Sequence, residues 1–256
     1  MDEETHSSKP LSNQPPLDVL YHDGPCIVVN KPSGIATQAP RKVVGLEDLV
    51  KDYLRVRENK TGNIYVGVPH RLDRPVSGAI VFARHVRAAR RLSEQFEGRL
   101  VRKVYWALVE IDAGMPLESE GTWKDFVRKI PGRAAAEVVD ANHPDGKEAI
   151  LHYRTRNFVT NGPDLVNNSR ELRLLEIELQ TGRTHQIRVQ AGTRGMPVVG
   201  DEQYGAKSGF GPQTADPRER SIALHARLLE FDHPKTREPV RIEAPLPPSW
   251  RDFSIE

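Results

Sequence analysis

The sequence predicts an α+β fold built around a largely antiparallel β-sheet. Short apolar or β-branched runs recur along the chain, separated by Gly, Pro and Asp/Asn turn residues, which is the pattern of strands. About three stretches place apolar residues at helical spacing. Many strands interrupted by few helices are typical of a sheet with helices packed against it.

The strands are predicted where apolar and β-branched residues cluster between turn residues. A first hairpin is expected to turn at Asp23 and Gly24, and Gly78 is expected to open a strand of small and β-branched residues. The predicted strands are residues 20–21, 26–30, 78–82, 105–110, 172–179, 223–231 and 240–244.

Helices are predicted from the spacing of apolar side chains. Leu46, Leu49, Val50 and Tyr53 lie at i, i+3, i+4 and i+7 within residues 46–56. The same criterion predicts a helix at residues 86–96. A further helix is predicted to begin at residues 186–189 and to end at Gly195 and Pro197. Between them, residues 66–71 are predicted to be extended and to enter a turn at 73–75, since proline disfavours helix at the preceding residue. Residues 205–218 are predicted to be a loop.

One domain preceded by a tail is the expected organisation. Residues 1–16 are acidic and then rich in Ser, Pro and Gln, with too few apolar groups to offset the entropy of ordering, so a flexible tail is expected there. The remainder has no internal repeat, coiled-coil heptad or clear linker. Residues 17–256 are therefore predicted to form a single domain.

Composition argues against several classes of function. The single cysteine, Cys26, lies in an apolar run, which predicts a buried thiol and excludes a metal site built from several cysteines. The chain lacks the pattern of a signal peptide and any run long enough to cross a bilayer, so a cytoplasmic protein is expected. It also lacks HExxH, clustered carboxylates, a P-loop and a dinucleotide fingerprint, which argues against metal-dependent hydrolases and nucleotide-fuelled enzymes.

Positive charge is local rather than global. The net charge is only +2, from 37 basic and 35 acidic residues. Residues 84–103, in contrast, hold seven basic side chains and two acidic ones, a strip suited to phosphate contacts. The alternative is an ordinary solvated helix face. The basic members are Arg84, Arg87, Arg90, Arg91, Arg99, Arg102 and Lys103.

Three short segments concentrate residues that could carry chemistry. Residues 68–78, VPHRLDRPVSG, bring Asp73 and several cations into a turn between two apolar runs, although a surface turn capped by Asp73 is the simpler interpretation. Residues 180–190, QTGRTHQIRVQ, offer many donors for a carboxylate or phosphate, or else begin a polar surface helix. On a strand through 102–107, Lys103, Tyr105 and Ala107 share one face, where most tyrosines are core residues.

Together these segments resemble the RluA-type pseudouridine synthases. The family hallmark HRLDxxTSG appears as HRLDRPVSG at 70–78, with Val76 in place of the usual Thr, and the K-x-Y and GRTHQIR elements appear at 103–105 and 182–188. Flanking pieces follow in the family's order at 28–34 (VVNKPSG), 200–205 (GDEQYG), 224–226 (LHA) and 231–234 (FDHP). The resemblance covers residues 17–248. No segment before residue 17 is long enough for the small accessory RNA-binding domain of some relatives.

The resemblance implies the pseudouridine synthase fold, with a catalytic cleft on a mixed, largely antiparallel sheet flanked by helices. It implies isomerisation of specific uridines in structured ribosomal or transfer RNA, without metal or cofactor. Asp73 corresponds to the essential catalytic carboxylate, Arg188 to its ion-pair partner, and Tyr105 to the tyrosine that stacks on uracil. A carboxylate at Asp73 could attack the ribose carbon, attack the uracil ring, or take a ribose proton, and the sequence leaves these routes open.

RNA contacts are also implied by the resemblance. Because the target base must leave the stack, Arg71 is expected to prop the vacancy, with Lys103 and Arg183 as weaker polar supports of the cleft. His70 and His185 are expected to be structural. A monomer is the default expectation. A non-catalytic RNA-binding or chaperone protein on the same fold is the alternative. Loss of Asp73, Tyr105 or Arg188 would favour it, and all three residues are present.

Overall fold

The architecture is that of an α+β protein with one large mixed sheet, as the sequence predicts. The computed structural model describes residues 17–40, 42–160 and 169–255, so the predicted tail at 1–16 lies outside the described residues. The strands are β1 (Val19–Asp23), β2 (Cys26–Lys31), β3 (Ser77–Ala83), β4 (Arg102–Asp112), β5 (Glu120–Lys129), β6 (Ala136–Val139), β7 (Lys147–Arg156), β8 (Phe158–Thr160), β9 (Arg170–Leu179), β10 (Leu224–Asp232), β11 (Pro239–Glu243) and β12 (Phe253–Ile255). The α-helices are α1 (Leu46–Arg57), α2 (Val86–Glu97) and α3 (Gln186–Thr193).

Ten of these strands form one sheet in the order β1-β2-β3-β10-β4-β9-β7-β5-β6, with β11 also paired to β10. Among the described strands only β3 and β10 run parallel, at His225–Ser77 and Ala226–Gly78. There the backbones approach closely: Gly78 has φ +118°, and a Cβ on it would lie 2.3 Å from the Ala226 carbonyl oxygen. Glycine is required at this position because only glycine tolerates both the contact and the angle. β8 and β12 form a separate pair.

Strand β10 joins two halves of the sheet. One edge of β10 pairs with β4 along most of its length. The other edge is shared, first by β3 and then by β11, which pairs over Leu228–Asp232. Strands β3 and β4 are consecutive in sequence yet are separated in space by a strand from near the end of the described chain.

Helices α1 and α2 cover opposite faces of the sheet. Alternate residues of the inner strands belong to two different apolar clusters, because strand side chains alternate between faces. Ile27 and Phe82 pack with α1 through Leu54, whereas Val28 packs with α2 through Leu92. Burying a leucine side chain of this kind contributes about 1.5–3 kcal/mol. The free thiol of Cys26 is buried, as predicted, and it packs in the cluster on the α2 side.

Most predicted elements are confirmed. Residues 66–71 lie outside the helices and strands, and an isolated bridge joins Gly67 to Ala83. Pro69 follows closely and has no N–H to donate to a ladder. The turn that follows is confirmed by a hydrogen bond from Val76 N–H to the Asp73 carbonyl oxygen. Strands β5, β6, β7, β8 and β12 were not predicted.

Candidate active site

All six residues singled out from the sequence line one cleft of about 1150 Å³. The turn between residue 68 and β3 supplies one wall, and the start of β4 supplies part of another. The loop before α3, α3 itself and the segment after residue 200 complete it. The six residues are Arg71, Asp73, Lys103, Tyr105, Arg183 and Arg188.

A buried lysine holds the turn that carries Asp73. Lys31, at the end of β2, is fully buried. Its Nζ donates hydrogen bonds to the carbonyl oxygens of Pro32 (2.9 Å), Arg74 (3.1 Å) and Val76 (2.7 Å). Burial lowers the pKa of Lys31 to about 7, although the nearby Asp73 charge opposes the shift. The backbone on both sides of the turn's tip is thus fixed from beneath by one ammonium group.

Two further contacts fix the same turn. Thr37 Oγ1 donates to the Leu72 carbonyl oxygen at 2.9 Å and accepts from the Leu72 N–H at 3.1 Å. The Gly34 N–H donates to the Arg74 carbonyl oxygen at 2.9 Å. Val76, where the family usually has Thr, is 2% exposed and packs in the main apolar core. The methyl groups of Val76 therefore contribute to the packing that supports the turn.

Arg188 connects Asp73 to a buried acidic residue. The guanidinium makes a bidentate pair with Asp201, Nε–Oδ2 at 2.6 Å and Nη2–Oδ1 at 2.8 Å. It also donates from Nη2 to Gln203 Oε1 at 3.0 Å, and from Nη1 to Asp73 Oδ2 at 3.3 Å. The ring of Tyr204 lies beneath it, 5.0 Å from the guanidinium carbon. Burial opposes the charge, but the two carboxylates prevail and raise the pKa of Arg188.

His185 is a second neighbour of the Asp73 carboxylate. Its Nε2 lies 3.7 Å from Asp73 Oδ2, and its Nδ1 is 2.8 Å from the Tyr204 hydroxyl. That hydroxyl accepts the Ala136 N–H at 2.9 Å. Residue 185 precedes α3 with φ +52°, a left-handed conformation that turns the chain sharply into the helix. Burial lowers the pKa of His185, although the Asp73 charge opposes the shift.

The Asp73 carboxylate is held through one oxygen only. Both contacts of Asp73, from Arg188 and His185, reach Oδ2. No described residue donates to Oδ1, and the side chain is 30% exposed to the cleft. A carboxylate with one anchored and one open oxygen is suited to act on a bound substrate.

Tyr105 and Lys103 project from β4 into the cleft, as their shared strand face predicts. Tyr105 is 8% exposed, and burial together with the Asp73 charge raises the pKa of its hydroxyl. The hydroxyl is therefore protonated at neutral pH. Burial and the neighbouring Arg99 lower the pKa of Lys103. Ala107, on the same strand face, is fully buried in the core beyond the cleft.

The two remaining arginines differ in how they are held. Arg71 is exposed at the cleft, and among the described residues its side chain has no hydrogen bond or ion pair. Arg183 is anchored, with Nε donating to the Glu148 carbonyl oxygen at 2.8 Å. A free guanidinium at the rim can move to meet an anionic ligand, whereas an anchored one presents a fixed charge.

His70 is held as a neutral ring behind the turn. Its Nε2 accepts the Val81 N–H at 3.1 Å, and the ring stacks on Phe96 with centroids 4.3 Å apart. Burial, helped by the charge of Lys103, lowers the pKa of His70 to about 3. Protonation of Nε2 would break the hydrogen bond from Val81.

Acid should therefore destabilise the protein through His70. The folded-state pKa is below the unfolded value of about 6.5, so the unfolded chain binds the extra proton and stability falls as pH drops below about 6.5. Between pH 7 and 5 this residue should account for up to about 2 kcal/mol of the lost unfolding free energy. His70→Gln keeps an acceptor for Val81 but does not titrate. Urea unfolding at both pH values should show a smaller loss for the variant, and equal losses would refute the assignment.

Several residues of this site have no role assigned from the sequence. Asp201, Gln203 and Tyr204 lie in the GDEQYG segment, and Lys31 lies in VVNKPSG; both segments enter the resemblance only as flanking pieces. One signal in the sequence could have pointed to them. An Asp or Lys within apolar surroundings needs a partner, so Asp201 and Lys31 could have been expected to make buried polar contacts. Among the described residues, no three His, Cys, Asp or Glu side chains are grouped to hold a metal ion. No described helix is both long and apolar enough to span a membrane.

Known proteins similar to this chain are RNA pseudouridine synthases, and the similarity extends over most of the chain. Residues 25–192 match the family model described as RNA pseudouridylate synthase. The chain is 39% identical over 241 residues to "Ribosomal large subunit pseudouridine synthase D" of Xylella fastidiosa, covering 91% of this chain but 66% of that protein. It is 31% identical over 244 residues to an uncharacterized RNA pseudouridine synthase of Zymomonas mobilis, covering 93% of this chain and 97% of that protein. The chain therefore spans about two thirds of the first relative and nearly all of the second.

Two solved human structures share the fold. RNA Pseudouridylate Synthase Domain Containing 4 superposes with a TM-score of 0.68 at 21% identity, covering 92% of each chain. RNA Pseudouridylate Synthase Domain Containing 1 superposes with a TM-score of 0.66 at 25% identity, covering 94% of this chain and 89% of that one. The sheet and the cleft described above thus occur within an architecture already seen in solved structures.

Proposed function

The chain belongs to the RNA pseudouridylate synthase family, and from this premise we propose that it converts specific uridines of structured RNA to pseudouridine. Asp73 is the catalytic carboxylate of this proposal. The observation that carries it is the geometry of Asp73, whose side chain lines the cleft, whose Oδ2 is anchored by Arg188 and whose Oδ1 has no described partner. The name of the Xylella fastidiosa relative favours ribosomal RNA of the large subunit as substrate, with transfer RNA as the alternative.

The reaction is an isomerisation, so its balance needs no co-reactant. The bond from ribose C1′ to uracil N1 breaks, the base turns, and a bond from C1′ to uracil C5 forms. The proton on C5 leaves, and N1 gains one. The protein must therefore open the glycosidic bond, retain the detached base, and move a proton.

Three chain residues fit these tasks. Asp73 can attack C1′, attack the uracil ring, or take the proton of ribose C2′; each route uses the open Oδ1. Arg188 holds the carboxylate in its orientation when RNA covers the cleft and excludes water. The Tyr105 ring can stack on the base and retain it after the bond breaks, and its hydroxyl can relay the C5 proton.

The RNA is expected to meet positive charge around this centre. Arg71, free at the rim, is suited to fill the space left by the flipped nucleotide. Lys103 and Arg183 are suited to phosphate or base contacts deeper in the cleft. One chain supplies every group named here, and the isomerisation needs no co-reactant. We therefore propose a single catalytic domain at 17–256 that acts as a monomer without metal or cofactor. We also propose that it acts in the cytoplasm.

Mapping pseudouridine by mass spectrometry in total RNA tests this function. Cells with and without the gene are compared, and the gene is restored by a plasmid. At least one pseudouridine should vanish with the gene and return with the plasmid. If no position changes, an RNA-binding protein without catalysis becomes the better description.

Tyr105 should separate proton transfer from base retention. Tyr105→Phe keeps the aromatic face but removes the hydroxyl, so the single-turnover rate should fall by about 10²–10⁴-fold, the usual range for a proton-transfer group. RNA affinity should be unchanged. Tyr105→Leu also removes the stacking surface and should weaken RNA binding by about 1–3 kcal/mol. Single-turnover assays and filter binding measure the two effects; a Phe variant as fast as wild type would remove the hydroxyl from the mechanism.

A further inference from the structure

A second basic groove lies away from the catalytic cleft. It has a volume of about 510 Å³ and is bounded by the β1–β2 turn, the segment after α1, the start of α2 and the β10–β11 turn. No acidic residue and no Phe, Tyr or Trp is among the described residues that line it. It is here called the basic groove. Its charged or titratable lining residues are Lys60, Arg84, His85, Arg87, Arg91 and Lys235.

Two of the arginines are fixed to the groove walls. Arg84 Nη1 donates to the Gly24 carbonyl oxygen, and Arg91 Nη1 donates to the Pro234 carbonyl oxygen, each at 2.6 Å. Glu58 pairs with Arg84 and with Lys60, and Asp23 lies next to the lining residue Gly24. Two carboxylates do not balance five cations, so the groove retains a positive excess.

Two other cations are unengaged. Arg87 and Lys235 are exposed, and neither side chain has a hydrogen bond or ion pair to any residue that the structure describes. They stand on different elements, the first turn of α2 and the β10–β11 turn. A groove with fixed cations on its walls and free ones at its rim is organised to receive an anion before that anion arrives.

Helix α2 connects this groove to the catalytic cleft. His85 and Arg87 lie at its N-terminal end and Arg91 lies in its middle, whereas Phe96 and Glu97, at its C-terminal end, line the cleft. The helix has 12 residues and is therefore about 18 Å long. A nucleic acid lying along α2 could occupy both sites at once.

We propose that the basic groove, which lies toward the opposite end of α2 from the catalytic cleft, binds backbone phosphates of the substrate RNA. The inference rests on the proposed function. Guanidinium groups match phosphate oxygens in geometry and charge. The absence of Phe, Tyr and Trp from the described lining argues against base stacking, so the groove fixes the position of the RNA and reads no sequence.

The double variant Arg87→Gln/Lys235→Gln tests the groove. A fluorescent 24-base-pair RNA duplex of arbitrary sequence serves as the probe, titrated by anisotropy over a series of salt concentrations. Removing two phosphate contacts should weaken binding roughly tenfold and flatten the slope of log K against log salt by roughly 1 to 2. In turnover assays on ribosomal RNA, a higher RNA concentration should be needed for half-maximal rate. Thermal melting checks that both exposed substitutions leave the fold intact.

The matched control is Arg133→Gln/Lys147→Gln, which removes an exposed arginine and an exposed lysine that line neither site and have no side-chain hydrogen bond or ion pair to any described residue. Its duplex affinity and salt slope should follow the small change in net charge only. Equal losses in both double variants, or no loss in either, would overturn the assignment of the groove. Wild-type turnover on ribosomal RNA is read separately: if it is absent, the proposed function fails, whereas normal turnover with an affinity insensitive to Arg87 and Lys235 rejects the groove alone.

Discussion

Asp73→Asn is expected to reduce pseudouridine formation by roughly four orders of magnitude or more, the scale of loss seen when a nucleophile is removed. The amide keeps the size of the side chain and one oxygen for Arg188, but it can neither attack carbon nor accept a proton effectively. Since the Asp73 side chain is 30% exposed, stability should change by no more than about 1 kcal/mol.

RNA binding should persist in this variant, because removing a carboxylate from a cleft lined by cations lowers repulsion toward phosphate. The measurement is single-turnover pseudouridine formation, with affinity determined on the same RNA. Asp232→Asn is a suitable control, since it removes an exposed carboxylate outside the cleft. Comparable product from Asp73→Asn and wild type would end the catalytic assignment of Asp73.

The second large effect is expected at Arg188, where activity and stability should fall together. Arg188→Met leaves Asp201, which is 1% exposed, without its bidentate partner. An uncompensated buried carboxylate costs about 3–5 kcal/mol. Asp73 also loses its anchor, so activity should drop even at temperatures where the variant is folded.

A double variant separates these two consequences. Adding Asp201→Asn to Arg188→Met removes the stranded charge, and the unfolding free energy should recover in large part while activity stays lost. Arg194→Met is the matched control, because Arg194 pairs with the half-buried Asp125 outside the cleft at 2.9 Å. It should lose little stability and retain activity. A double variant as unstable as the sum of its single variants would show that Arg188 and Asp201 act independently.

The parts of the site that could be predicted were those carried by local sequence. The Asp73 turn and the segment before α3 concentrate polar residues at the ends of apolar runs, a pattern that is visible in the order of the residues alone. Their meeting in one cleft was an expectation from resemblance. The geometry adds that Asp201 holds Arg188, a pairing that depends on how the chain after α3 folds back.

Other features depend on the fold as a whole. Strands β5 and β7 have charged residues on one side and few long apolar runs, so their strand character becomes clear only when β7 pairs with β9 and β5 pairs with β7. The basic strip at 84–103 was predicted as one surface, but the helical turn of α2 divides it. Arg87 belongs to the basic groove, Arg99 belongs to the cleft, and Arg90 is paired with Glu94.

The position of β10 has a consequence for the order in which the enzyme becomes active. Asp73 precedes β3, whereas Tyr105 lies on β4, and these two strands have no contact partner in common until β10 lies between them. A nascent chain that ends before residue 224 already contains Asp73 and Tyr105 but lacks the strand that brings them together. Catalytic competence should therefore arise late in synthesis and in one step, so that incomplete chains do not modify RNA.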